Sequence, residues 1–288
     1  MGKSGIVILF ILGFVICTHA GNRFFLSASD SNPICKEVKS SVLWKYCFSV
    51  GVGKSVRKLI LQFHGGGESE KTWFESTGLG EQVRQSWRNS GIQAPSIVSV
   101  SFGPMWLLSK RSLLPQSGLY EVFVNEIFPY IEKQLMNGRI DERILIGHSM
   151  GGFNAGTLGL QNAPFFSKIA LLCPALGNEG SDIDSYIKKT GAWLPYARYL
   201  FKIRDQYFLS STLETEVSPL TLIRRISPGK NGPKFFLSCG DKDQYGFYFG
   251  ANTFIKLSKM KGFQVLWKPV ANGQHCSVDT DALAKFLQ

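Results

Sequence analysis

Short apolar runs punctuate this chain, and between them apolar residues return every three or four positions. Short runs bounded by turn residues predict strands, and the longer period predicts helices with one buried face. The strands are expected at 42–50, 56–63, 96–102, 143–147, 168–173, 234–239 and 263–270. The helices are expected at 79–89, 119–136, 150–160, 244–260 and 278–287. Within 119–136, Tyr120, Phe123, Val124, Ile127, Phe128, Ile131 and Leu135 give one continuous apolar face, with Pro129 inside it. Strands alternating with helices in this order imply an α/β protein: a mostly parallel central sheet with helices on both faces.

Three stretches stand outside that rhythm. Residues 21–41 are polar and irregular in pattern, and are read as an irregular N-terminal segment. Residues 175–233 are too long for a plain loop. They carry helix-like pieces at 183–189 and 197–208, rich in Tyr, Phe and Leu, with Trp193 between them, and are read as a helical insertion in a single domain spanning 42–288. At the start, Lys3, an apolar core over 6–16 and the small residues around Thr18-His19-Ala20 have the pattern of a secretory signal peptide, residues 1–20. Its core is short for a lasting membrane span, so a secreted, periplasmic or cell-envelope protein is expected. Retention as an N-terminal membrane anchor is the alternative.

Composition is that of an ordinary globular chain, 44% hydrophobic and 18% charged over 288 residues. That suffices for one sizeable core. The net charge of +11 changes the picture little. Its densest group, Lys36, Lys39, Lys45, Lys54, Arg57 and Lys58, is interleaved with neutral residues, and no nucleic-acid motif accompanies it. No nucleic-acid partner is expected, and the charge supports at most a weak association with anionic envelope surfaces. Loss of residues 1–20 would leave Cys35, Cys47, Cys173, Cys239 and Cys276, an odd number, so at least one thiol is unpaired. An oxidising compartment permits disulfides. Cys35 and Cys47 flank a predicted turn and are one candidate pair; Cys239 and Cys276 are another. The competing reading makes Cys173 and Cys239 buried small apolar residues.

The chemistry is concentrated in four places. The run Arg143-Ile144-Leu145-Ile146 leads into Gly147-His148-Ser149-Met150-Gly151, a G-x-S-x-G sequence with a strand before it and a helix after it. This is the context of a nucleophile elbow, which makes Ser149 the candidate nucleophile. The strand ending at Phe63 continues into His64-Gly65-Gly66-Gly67, a loop suited to presenting backbone N–H groups to a developing oxyanion. Gly65 and Gly66 are the candidate donors there, with Met150, after the nucleophile, as the other. Gly240-Asp241-Lys242-Asp243 follows the strand at 234–239, and Gly273-Gln274-His275 follows the strand at 263–270. An imidazole can take the serine proton and return it to the leaving group while a carboxylate orients it. His275 is the histidine left for that task, because His64 and His148 belong to the other motifs. Asp243 is the preferred acid over Asp241, which is expected to cap the following helix. No H-x-x-x-H or C-x-x-C spacing occurs, so neither a metal nor an organic cofactor is expected.

Over residues 40–288 these motifs resemble the α/β-hydrolase superfamily, and within it the esterase D-like group of esterases. The helix around Pro129 also resembles that group's helix before the elbow. The resemblance implies an α/β-hydrolase fold. The chain departs from well-known members after Leu176, but the 175–233 insertion lies between the strand after the nucleophile helix and the strand before the acid loop, so it is expected to stand over the site as a helical cap. Trp193, and Trp106 in the loop after the strand at 96–102, are the expected walls of the substrate pocket. It further implies a serine esterase that cleaves a carboxylic ester through an acyl-enzyme, with an ester, free or polymer-linked, as substrate. The same residues would serve acyl transfer to a sugar or lipid hydroxyl. A binding protein on a hydrolase scaffold is the remaining alternative.

Overall fold

The computed structural model describes residues 32–104, 106–108, 118–176, 218–229, 232–275 and 277–288. The leader 1–20, most of the 175–233 insertion with Trp193, and Cys276 lie outside the described residues. Eight strands form one sheet: β1 (Ile34–Lys39), β2 (Leu43–Ser49), β3 (Lys58–Phe63), β4 (Ser96–Ser101), β5 (Glu142–His148), β6 (Lys168–Leu172), β7 (Lys234–Gly240) and β8 (Val265–Val270). Their order is β1-β2-β4-β3-β5-β6-β7-β8. β1 and β2 are antiparallel to their neighbours, and the six strands β3 through β8 run parallel to one another. The described helices are α1 (Leu79–Asn89), α2 (over 119–135), α3 (Met150–Gln161), α4 (Pro219–Arg225), α5 (Phe247–Met260) and α6 (Thr280–Phe286).

Successive strand residues point to opposite faces, and this divides the core in two. Leu59, Leu61, Phe63 and Leu145 face one layer, where they pack with Phe123, Phe153, Leu222 and Phe254 from α2, α3, α4 and α5. Ile60, Ile144 and Ile146 face the other, with Val83 and Trp87 of α1 and Leu283 of α6. Trp87 also donates its indole N–H to Ala284 O at 3.0 Å, tying α1 to α6. Because β3 and β5 are covered on both faces, they read in sequence as continuous apolar runs rather than alternating ones. In α2, Pro129 has no N–H for the helical ladder. The turns on either side widen to i→i+5 bonds, from Phe128 N–H to Phe123 O and from Met136 N–H to Ile131 O at 3.2 Å.

The N-terminal segment corrects an expectation. Residues 34–39, read as irregular, form β1 in register with β2, with Cys35 opposite Cys47. Nearly every β1 side chain is exposed, so the strand carries no apolar alternation to betray it. Backbone pairing and a Cys35–Cys47 disulfide, spanning a sequence separation of 12, hold it in place. Closing a loop of that size restricts the unfolded chain by about 3 kcal/mol. Cys35→Ala is expected to lower unfolding free energy in urea by up to about that amount, without disturbing the strands beyond β2.

Candidate active site

The elbow forms where β5 meets α3. Ser149 has φ 54° and ψ −115°, a conformation costly for a residue with a Cβ, by about 1–3 kcal/mol. The surroundings hold it there. Ser149 N–H donates to Leu172 O at 2.9 Å, and Ser149 O accepts from Phe153 N–H at 3.1 Å and Ala175 N–H at 2.9 Å. Strand and helix also close tightly around it: a Cβ on Gly147 would lie 1.9 Å from Gly151 O, so only glycine fits. α3 is buried from Met150 to Leu160, whereas Ser149 retains partial exposure.

The loops after β7 and β8 bring Asp243 and His275 together. Asp241 N–H bonds to Val270 O at 3.1 Å and Lys242 N–H to Gly273 O at 2.8 Å, which fixes one loop against the other. Asp243 Oδ2 then lies 2.7 Å from His275 Nδ1, with both side chains buried. A carboxylate can only accept, so Nδ1–H donates in this contact. The remaining acceptor sites on Asp243 are occupied as well: Oδ1 accepts Tyr245 N–H at 2.7 Å, and Oδ2 faces the Cys239 thiol at 3.5 Å. Gln244 Oε1 accepts His275 N–H at 3.0 Å. The rings of Tyr245 and Phe247 meet His275 edge-on at 4.7 and 5.4 Å between centroids.

Asp241, expected to cap the next helix, does not. α5 begins at Phe247 behind Gly246, without a side-chain cap, and Asp241 is exposed. Cys239 is a free buried thiol, so the suggested bond to Cys276 does not form and the reading of Cys173 and Cys239 as buried thiols holds. The facing Cys173 thiol, burial and the Asp243 carboxylate all push the Cys239 thiol up, so it stays protonated. Donor atoms of Cys173, Cys239 and Asp243 lie within 4.8 Å of one another. With one thiol held protonated and Asp243 spent on His275 and Tyr245, the sulfurs form a wall behind the carboxylate.

The His64 loop corrects two expectations. Gly65 N–H is already taken by Glu68 Oε2 at 2.7 Å, and Gly67 N–H by Pro104 O at 2.8 Å. Gly65 therefore has no N–H to offer an oxyanion. Among the described residues, Gly66 N–H and Met150 N–H, the latter at the start of α3, have no acceptor. Trp106 is wholly buried, and its indole N–H donates to His64 Nε2 at 3.1 Å, so it lies behind the loop rather than on an open pocket wall. His64 is wedged in place: Nδ1–H donates to Gly65 O at 2.7 Å, and Ser101 Oγ lies 2.8 Å from Nε2. Burial lowers its basicity, which suits a neutral ring accepting at Nε2. Sequence reasoning did not find the contacts of Glu68 or Gln244, nor the approach of the Cys239 thiol to Asp243. Their roles come from contacts that no spacing rule encodes.

No protein-family model matches the chain, and comparison with curated proteins finds no match. Solved structures do match. A ferulic acid esterase superposes with a TM-score of 0.61 at 18% identity, over 88% of this chain and 93% of that one. An S-formylglutathione hydrolase from Staphylococcus aureus gives 0.61 at 16% identity, over 88% and 96%. An S-formylglutathione hydrolase from Agrobacterium tumefaciens gives 0.62 at 15% identity, over 88% and 95%. At these identities the likeness establishes the fold. Together with the eight-stranded sheet, it makes this an α/β-hydrolase fold.

Proposed function

We propose that the chain is a secreted serine hydrolase that cleaves a carboxylic ester through an acyl-enzyme. Ser149 Oγ attacks the ester carbonyl, and His275 Nε2 takes its proton and passes it to the departing alcohol. Asp243 keeps the imidazole in the Nδ1–H form and stabilises the imidazolium that develops. Gly66 N–H and Met150 N–H hold the oxyanion, and water then releases the acid by the same proton route. No metal or organic cofactor enters these steps. The observation that carries the reading is the 2.7 Å Asp243–His275 contact in a fold whose elbow presents Ser149. The matched structures are named as ester and S-formylglutathione hydrolases, which supports ester or thioester substrates. Secretion is supported by the signal-peptide pattern and by a disulfide that needs an oxidising compartment. No helix among the described residues is long and apolar enough to cross a membrane.

A panel of p-nitrophenyl esters of increasing acyl length, together with acetylated and feruloylated sugars, tests this reading. Turnover of at least one ester to free acid, undiminished by added sugar or lipid alcohols, is the expected result. A protein inert across the panel would contradict the reading. Acyl-alcohol products in place of free acid would replace hydrolysis with transfer.

A further inference from the structure

Glu68 directly follows the Gly65–Gly67 loop, and the reaction described above gives it no part. It is no ordinary surface carboxylate. Its Oε2 accepts Gly65 N–H at 2.7 Å and stands 3.5 Å from His148 Nδ1. Its own N–H reaches back to Gly65 O at 3.3 Å. One oxygen thus faces two elements that carry opposite halves of the reaction centre: the loop after β3, with Gly66 N–H, and the elbow, with Ser149. The fit is close, for a Cβ on Gly65 would lie 2.9 Å from His148 Nδ1 and 3.2 Å from Glu68 Oε2. His148 in turn lies beside His275, with ring centroids 5.6 Å apart.

The charges favour the contact. Burial raises the Glu68 carboxyl, but the facing His148 and the Gly65 N–H outweigh burial and hold it down at about 2. Burial lowers His148, and Glu68, with a smaller contribution from Asp243, raises it by more than burial removes. Each group thus favours the charged form of the other across the seam between loop and elbow.

We propose that Glu68 is a positioning residue that clamps the oxyanion loop onto the nucleophile elbow, accepting Gly65 N–H and facing His148 through a single carboxylate oxygen. It acts through Gly65, whose placement sets the direction of the next N–H, that of Gly66. Donors to an oxyanion are effective only when already in place, and a displacement of about 1 Å costs on the order of 10²-fold in rate. The inference rests on the serine esterase reading.

Glu68→Ala, Glu68→Gln and Glu68→Asp, assayed beside wild type on a short-chain p-nitrophenyl ester, test it, with urea midpoints and fluorophosphonate uptake at Ser149 measured on each. Glu68→Ala is expected to lower kcat by about 10- to 100-fold while KM changes by less than about threefold, because Glu68 does not itself hold the ester. Glu68→Gln keeps an acceptor oxygen at the same reach and should stay within about fivefold of wild type. Glu68→Asp keeps the charge but falls short of Gly65, and should resemble Ala. A kcat within twofold of wild type for Glu68→Ala, or a loss confined to KM, would overturn the clamp. Should Glu68→Ala fail to fold, the order of the other two decides: Gln above Asp supports the clamp, and Asp at or above Gln overturns it. Failure of the esterase reading would show in the wild-type arm, as neither turnover nor labelling, and the clamp would fall with it. A wild type that does both, beside an unimpaired Glu68→Ala, removes the clamp alone.

Discussion

Ser149→Ala is expected to fold as the parent does and to lose ester turnover by about 10³- to 10⁶-fold. The substitution removes only Oγ. The bonds that hold the strained residue, from its N–H to Leu172 O and to its O from Phe153 and Ala175, are all backbone and survive it. Gly147 and Gly151 still close the elbow. On the proposed mechanism, what disappears is the atom that would form the acyl-enzyme, leaving only the oxyanion donors and a general base to activate water poorly. The check is kcat on the best ester of the panel beside a urea unfolding curve. An unchanged midpoint with collapsed turnover is the expected pair of results, and near-normal turnover would remove Ser149 from the mechanism.

The second large effect separates the two aspartates. Asp243→Asn is expected to lower turnover by about 10²- to 10⁴-fold. An amide replacing the carboxylate would direct N–H groups at part of a site now filled by donors: His275 Nδ1–H, Tyr245 N–H and the Cys239 thiol. The imidazole relieves the conflict by moving its proton to Nε2, which can then no longer take one from Ser149. Asp241→Asn should leave turnover nearly intact, because Asp241 is exposed and caps no helix. Its effect on stability should stay within about 0.5 kcal/mol, as for most surface substitutions. Side-by-side assays decide, and the opposite ranking would move the acid to Asp241.

Much of this arrangement was legible in the sequence because it lies where strands end. The apolar runs at β3, β5, β7 and β8 place the His64, Ser149, Asp243 and His275 loops along one edge of a parallel sheet, and the period of α2 and α3 supplies the cover. The Asp243–His275 contact also accords with the spacing, in which Gly240 bends the chain three residues before Asp243. Features set by tertiary contact were not legible. β1 exposes nearly all its side chains, so it leaves no alternation and is held by register and a disulfide. Gly65 looked like an oxyanion donor until Glu68 was seen to occupy its N–H. Trp106 follows a strand end and was expected at the rim, but the demand of its indole N–H for an acceptor is met inward, by His64. Each of these depends on a partner distant in space or on the choice between competing acceptors, and local pattern carries neither.

The central claim is that Ser149 is a nucleophile activated by His275, and covalent capture tests it most directly. Wild-type protein treated with a fluorophosphonate, then analysed by intact mass and peptide mapping, should carry one phosphonyl group on Ser149. Ser149→Ala should carry none, and Asp243→Asn should react far more slowly. A wild-type protein that stays unmodified, or one modified at another residue while Ser149 remains free, would contradict the account.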